Sequence, residues 1–176
     1  MIIAMGLPGA GKTTVLKGLK TDYEIHNFGD LMFEIEKEKF GIKQRDEMRK
    51  IPIEQQKEVQ MLVYQKLSKM GKKVILDTHC SVRTPNGYFP GLPFEYLKLL
   101  EVDSLVLVTA DPKEIEKRRE EDPTRKRDAD DIALHDQMNK AYLAAYSAFT
   151  GAPAVIIMNR QGKLEDAVAQ FEKVLV

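Results

Sequence analysis

Gly6-Leu-Pro-Gly-Ala-Gly-Lys-Thr13 satisfies the spacing G-x-x-x-x-G-K-[ST] in full. Its chemistry is phosphate binding. Gly6, Gly9 and Gly11, with the small Ala10 between them, let the backbone wrap closely enough for successive N–H groups to point at an anion. A helix opening directly after the loop adds the positive end of its dipole. In such a loop Lys12 reaches the β- and γ-phosphates of a bound nucleotide and the Thr13 hydroxyl coordinates Mg²⁺. A chance glycine-rich turn is the alternative, and the flanks speak against it: an apolar strand pattern precedes the motif and a helical pattern follows. The loop announces nucleotide binding without choosing a reaction, because kinases, GTPases and ATP-driven machines share it.

Other residues narrow the choice. Asp77 closes the apolar run Lys73–Asp77 and is followed by Thr78 and His79. In an open α/β sheet the carboxyl ends of strands face the ligand crevice, where an acid can complete a magnesium shell or orient an acceptor. An Asp at a strand end also serves as an ordinary turn former, and His79 reads equally as a loop histidine or a substrate contact. Arg118-Arg-Glu-Glu-Asp-Pro-Thr-Arg-Lys-Arg-Asp128 carries four arginines on either side of Pro123. Arginines that close over a migrating phosphoryl group stabilise its charge through their planar forks. Charge runs are more often solvated helix ends. Pro123 here separates two arginine pairs in the manner of a short lid, which points to Arg125 and Arg127. Arg118 and Arg119 read either way. Within Arg45-Asp-Glu-Met-Arg-Lys50, Arg49 is a candidate for an acceptor phosphate or part of a surface cluster. Asn159-Arg160 ends the last strand near the crevice, as a base-lining segment or a plain turn.

A cradle, a lysine, a metal and several arginines suit a phosphate acceptor better than an alcohol. An alcohol acceptor benefits from a positioned carboxylate base, whereas a monophosphate presents an oxygen that is already ionised. Positioning and exclusion of water then suffice.

The elements that must hold these groups are legible as alternation. Met1–Met5, Lys73–Asp77, Ser104–Thr109 and Ala154–Met158 read as buried strands, with a further short strand around Glu24–Phe28. Helical spacing covers Lys12–Leu19, Gly29–Lys39, Ile53–Met70, Pro112–Glu121, Asp130–Phe149 and Leu164–Leu175. Near-continuous apolar strands between helices predict a three-layer α/β domain around a central parallel sheet. Gly71 and Gly151 follow helices and Pro112 opens one. Thr84–Pro93, with three prolines and two glycines, reads as loop.

Residues 1–176 are expected to form one domain. Lys plus Arg and Asp plus Glu both number 27, so a dedicated nucleic-acid binder is not expected. Cys80 is the single cysteine, which excludes an intramolecular disulfide and a cysteine zinc site. The first residues run into the loop motif without a charged leader, and no apolar run approaches the ~20 residues of a membrane span. The expected compartment is the cytoplasm.

These motifs together resemble the archaeal-type adenylate kinases, a small branch of the nucleoside monophosphate kinases. The likeness spans nearly the whole chain. It includes the GLPGAGKTT loop, Asn27-Phe-Gly-Asp-Leu-Met-Phe-Glu34, Arg45–Lys50, Asp77-Thr-His79 with Thr84–Tyr88 and Gly91–Pro93, Thr124–Asp128, His135, Met138-Asn139 and Asn159–Gly162. The resemblance implies a P-loop kinase fold with an AMP-binding helical region at about 29–70 and a short lid at about 119–128. It implies Mg²⁺-dependent transfer from ATP to AMP. Gly9 through Thr14 would hold donor phosphates, and Arg119 would lie near the donor adenine. Arg125 and Arg127 would be lid arginines, and Gly29 and Arg49, with His79, would face AMP. A homotrimer is implied by the resemblance alone. Alternatives are a kinase for UMP, CMP or GMP, an adenylate-kinase-like ATPase acting in ribosome assembly, and a small-metabolite kinase using Asp77 as base.

Overall fold

The computed structural model describes residues 1–121 and 131–175, the side chain of residue 49 excepted. Five parallel strands make the central sheet: β1 (Ile2–Gly6), β2 (Glu24–Asn27), β3 (Val74–Asp77), β6 (Ser104–Thr109) and β7 (Ala154–Met158). Their order, β2-β3-β1-β6-β7, runs outward in both directions from β1. That reversal opens a crevice beyond the carboxyl ends of the central strands. β1, β3 and β6 are buried on both faces, which is why their sequences lack the polar alternation of a half-exposed strand.

Two apolar layers cover the sheet. On one face Ile2, Ala4, Ile75, Val106, Val108 and Ile157 meet Val15 and Leu16 of α1 (Lys12–Gly18) and Ala167 and Phe171 of α7 (Leu164–Glu172). On the other, Ile3, Met5, Leu76, Leu105 and Leu107 meet α3 (Ile53–Leu67) and α6 (Ile132–Thr150) through Val59, Val63, Tyr64, Leu143 and Tyr146. Burying some two dozen large side chains in this way, at roughly 1.5–3 kcal/mol each before entropy is subtracted, is the main source of cohesion. α2 (Phe28–Phe40) lies against α3, and α5 (Pro112–Glu120) against α6.

The predicted strands and long helices match these elements to within a few residues at their ends. One segment differs. Thr84–Pro93, expected as loop, supplies part of an antiparallel hairpin of β4 (Ser81–Thr84) and β5 (Gly87–Pro90), followed by the short α4 (Phe94–Leu97). Asn86-Gly87 and the strand formers Thr84, Tyr88 and Phe89 carry a hairpin signal that the three prolines obscure. Order comes from α6: the Tyr142 hydroxyl donates to Tyr88 O at 2.7 Å, and the Tyr146 hydroxyl to Cys80 O at 2.8 Å. The cluster Arg45–Lys50, placed between helices by its sequence, is itself a 3₁₀ turn.

Candidate active site

The phosphate loop leaves β1 at Gly6 and enters α1 at Lys12. Two of its side chains act as anchors: Leu7 and Ala10 are buried against Ala110 and Ile115. Gly11 occupies the left-handed region at φ 86°, and a Cβ there would stand 2.2 Å from the Asn159 amide nitrogen. Only glycine fits both demands.

Three successive carbonyls of the loop are held from outside. Arg119 Nε donates to Pro8 O at 2.8 Å, Arg118 Nη1 to Gly9 O and Ala10 O at 3.4 Å each, and Asn159 Nδ2 to Ala10 O at 2.9 Å. With its carbonyls bound on one side, the loop keeps amide groups for an anion on the other. Arg118 also donates to Asn159 O at 3.1 Å and pairs with Glu114 at 3.2 Å, while Gln161 N donates to Glu114. α5, the loop and the β7–α7 turn are thereby stitched together. The sequence left Arg118 and Asn159 undecided. Their signal, an arginine near the end of a helix and an asparagine just after a strand, is common in exposed surface.

Across the crevice, parallel register sets Asp77 beside Ala4 on one side and Asn27 on the other. Its carboxylate is shared. Oδ1 pairs with the Lys12 ammonium, which also donates to Thr78 O at 2.7 Å, and Oδ2 accepts from Asn27 Nδ2 at 3.0 Å. Burial pulls the Lys12 ammonium down from 10.5 to about 8, because desolvation disfavours the charged form. The adjacent carboxylate holds the charge against that pull. Thr13 and Thr14 stand exposed in the first turn of α1.

This donor set fits Mg²⁺. The Thr13 hydroxyl and Asp77 carboxylate are hard oxygens, and no group of three or more His, Cys, Asp or Glu among the described residues makes a self-sufficient metal cage. Magnesium usually takes one or two protein oxygens and completes its octahedron with water and substrate phosphates.

The residues expected to face AMP lie on other elements. Gly29 lies in the first turn of α2, where a Cβ would come 3.6 Å from Arg45 Nη2, and Arg45 pairs with Asp30. His79 is exposed two residues beyond Asp77. Arg49 belongs by backbone to the 3₁₀ turn Arg45–Lys50. Arg125 and Arg127 lie outside the described residues. Asn27 is not among the site residues expected from the sequence. Its signal was an N-cap pattern, Asn followed three residues later by Asp30.

A family model described as an AAA domain matches residues 5–134. The chain is 45% identical to an adenylate kinase of Methanopyrus kandleri over 182 aligned positions, covering 97% of this chain and 95% of that one. It is 42% identical to an adenylate kinase of Methanothermobacter thermautotrophicus, covering 99% and 98%. Among solved structures, a shikimate kinase from Bacteroides thetaiotaomicron superposes with a TM-score of 0.59 at 16% identity, covering 99% of this chain and 97% of that one. A shikimate kinase from Aquifex aeolicus gives 0.59 at 17%, covering 99% and 94%. These two likenesses speak to the fold alone.

Proposed function

The chain belongs to the adenylate kinase family, and we propose that it catalyses the reversible transfer of a phosphoryl group from ATP to AMP, giving two ADP. An ionised oxygen of the AMP phosphate attacks the γ-phosphorus in line, and ADP leaves as its bond to that phosphorus breaks. No proton has to be removed from the nucleophile, which accounts for a site rich in cations and poor in bases.

The observation that carries this reading is the Lys12–Asp77 pair. A loop lysine and a strand-end carboxylate meet where the crevice opens, one able to turn to donor phosphates and the other to a metal. Gly6, Gly9, Ala10, Gly11, Lys12, Thr13 and Thr14 hold the donor phosphates, and Arg119 borders the donor adenine. Thr13 and Asp77 would hold Mg²⁺, which would neutralise phosphate charge when bound. Gly29, Arg49 and His79 face AMP within an acceptor region at about 29–70. Arg125 and Arg127, in a lid at about 119–128, close over the migrating group.

Balanced charge argues against nucleic acid as a partner, and no described helix is long and apolar enough to cross a membrane. We place the enzyme in the cytoplasm as a homotrimer. Self-association is supported by an uncovered strip: Ile156 and Met158 of edge strand β7 are exposed on the α6 side of the sheet, and α6 exposes Ala141, Ala144, Ala145 and Ala148. The test is coupled detection of ADP with MgATP and AMP, UMP, CMP or GMP offered separately. AMP-dependent ADP formation well above the other three supports the assignment. Release of inorganic phosphate alone, indifferent to AMP, refutes it.

A further inference from the structure

Asn27 joins the two halves of the site with one side chain. It ends β2 and caps α2, so its backbone belongs to both elements. Its Oδ1 accepts from Asp30 N at 3.2 Å, fixing the first turn of α2. Its Nδ2 donates to Asp77 Oδ2 at 3.0 Å. The register Asn27↔Asp77 between adjacent parallel strands makes this contact a consequence of the sheet. Asp77's other oxygen holds Lys12. A continuous polar chain therefore runs from the phosphate loop through Lys12, Asp77 and Asn27 to the start of the acceptor-side helix.

We propose that Asn27 is a positioning residue that couples the two nucleotide sites. When donor phosphates draw the Lys12 ammonium away, the Asn27 amide remains as the described side-chain donor on Asp77 and holds its carboxylate toward the crevice. Because the same side chain caps α2, fixing Asp77 also fixes the turn that carries Gly29 and Asp30. Acceptor bound against that turn holds Asp77 in return. Coupling of this kind is reciprocal, so each nucleotide tightens the other by the same factor.

The inference rests on the proposed donor and acceptor sites, and the test separates its failure from theirs. Serine ranks with asparagine as an N-cap but is too short to span from the cap to Asp77. Asn27→Ser therefore keeps the helix start and loses the link, while Asn27→Ala loses both. AMP binding is titrated calorimetrically with and without the β,γ-methylene analogue of ATP and Mg²⁺, beside thermal melting of each variant. In the wild type the analogue should tighten AMP by at least about 5-fold, the lower range of common coupling factors. In Asn27→Ser the ratio should fall to about one with little change in melting temperature. kcat should drop by about 10-fold, with a smaller change in the KM for AMP. Asn27→Thr carries the same comparison if the serine variant does not fold. A ratio that stays at its wild-type value in the cap-retaining variant overturns the inference, as does a wild-type ratio of one. A wild type that binds no AMP overturns the functional reading instead.

Discussion

The loop between β1 and α1, proposed to hold the donor, and the arm of α2 and the 3₁₀ turn, proposed to hold the acceptor, are fastened by different means. Residues 6–12 are held by buried apolar anchors and by three outside side chains on consecutive carbonyls. α2 seats Leu31 in the core, with Phe28, Met32, Ile35 and Phe40 partly buried against it, while its polar links to the 3₁₀ turn and α3 are ion pairs between exposed side chains: Arg45 with Asp30, Lys39 with Glu58, and Lys66 with Glu34 at 3.1 Å. Exposed pairs of this kind contribute about 0–1 kcal/mol each. A site that must bind polyphosphate gains from amides fixed in advance, whereas an arm that must wrap an acceptor and shut out water gains from weak attachments. The expectation is that the loop is set in advance and that the arm, joined at its surface by weak pairs, closes on binding.

If that contrast is right, Lys12→Met should have the largest effect, lowering kcat by at least ~100-fold with the fold intact, since a charge needed in the transition state is lost. Near-normal turnover would remove Lys12 from the chemistry. Its pH behaviour gives a related check. Burial lowers the ammonium to about 8 in the free protein, and it is charged below that value. kcat/KM for ATP should therefore decline as pH rises through about 8, and Lys12→Arg should shift that decline upward.

Two glycine substitutions set the halves against each other. Gly11→Ala meets the Asn159 amide as well as its positive φ, and should weaken ATP binding more than 10-fold or cost at least ~2 kcal/mol. Gly41→Ala, at φ 67° with open space around it, should cost only about 1 kcal/mol and leave ATP binding unchanged. Equal effects would contradict the claim of a tightly enclosed loop.

α2 also carries a cost of its own. Glu36 is fully buried, and neither carboxyl oxygen has a hydrogen-bond partner among the described residues. Desolvation pushes its carboxyl above the ordinary glutamate value, so the folded chain keeps a proton that the unfolded chain has released. Stability from this group is greatest in acid and is lost as pH rises through the raised value. Glu36→Met should stabilise the protein by about 1–3 kcal/mol near neutrality, with a smaller gain in acid. Melting temperatures at two pH values check this, and an unchanged or lower melting temperature would mean that the carboxyl is satisfied. Smallest of all, Lys66→Met should move stability by no more than ~0.5 kcal/mol. A loss above 2 kcal/mol would show the arm to be more firmly fixed than its ion pairs suggest.

The sequence was most legible where one residue type meets a strict local demand. The turn between β1 and α1 with its glycines, the place of Asp77 at a strand end and the apolar strands could all be read directly. It was least legible where a partner far along the chain decides. Tyr142 and Tyr146 order the β4–β5 hairpin from more than fifty residues away. Arg118 becomes a clamp on the loop only because the fold carries α5 to it. Asn27 looks like a routine helix cap until the register sets Asp77 beside it.

Amide hydrogen exchange of the free protein tests the contrast between the two halves most directly. Residues 2–18 should exchange slowly before any ligand is added, and residues 28–50 quickly, with the latter slowing strongly once AMP and the ATP analogue are both present. Equal protection of the two segments without ligand, or an arm unmoved by the nucleotides, would contradict the account.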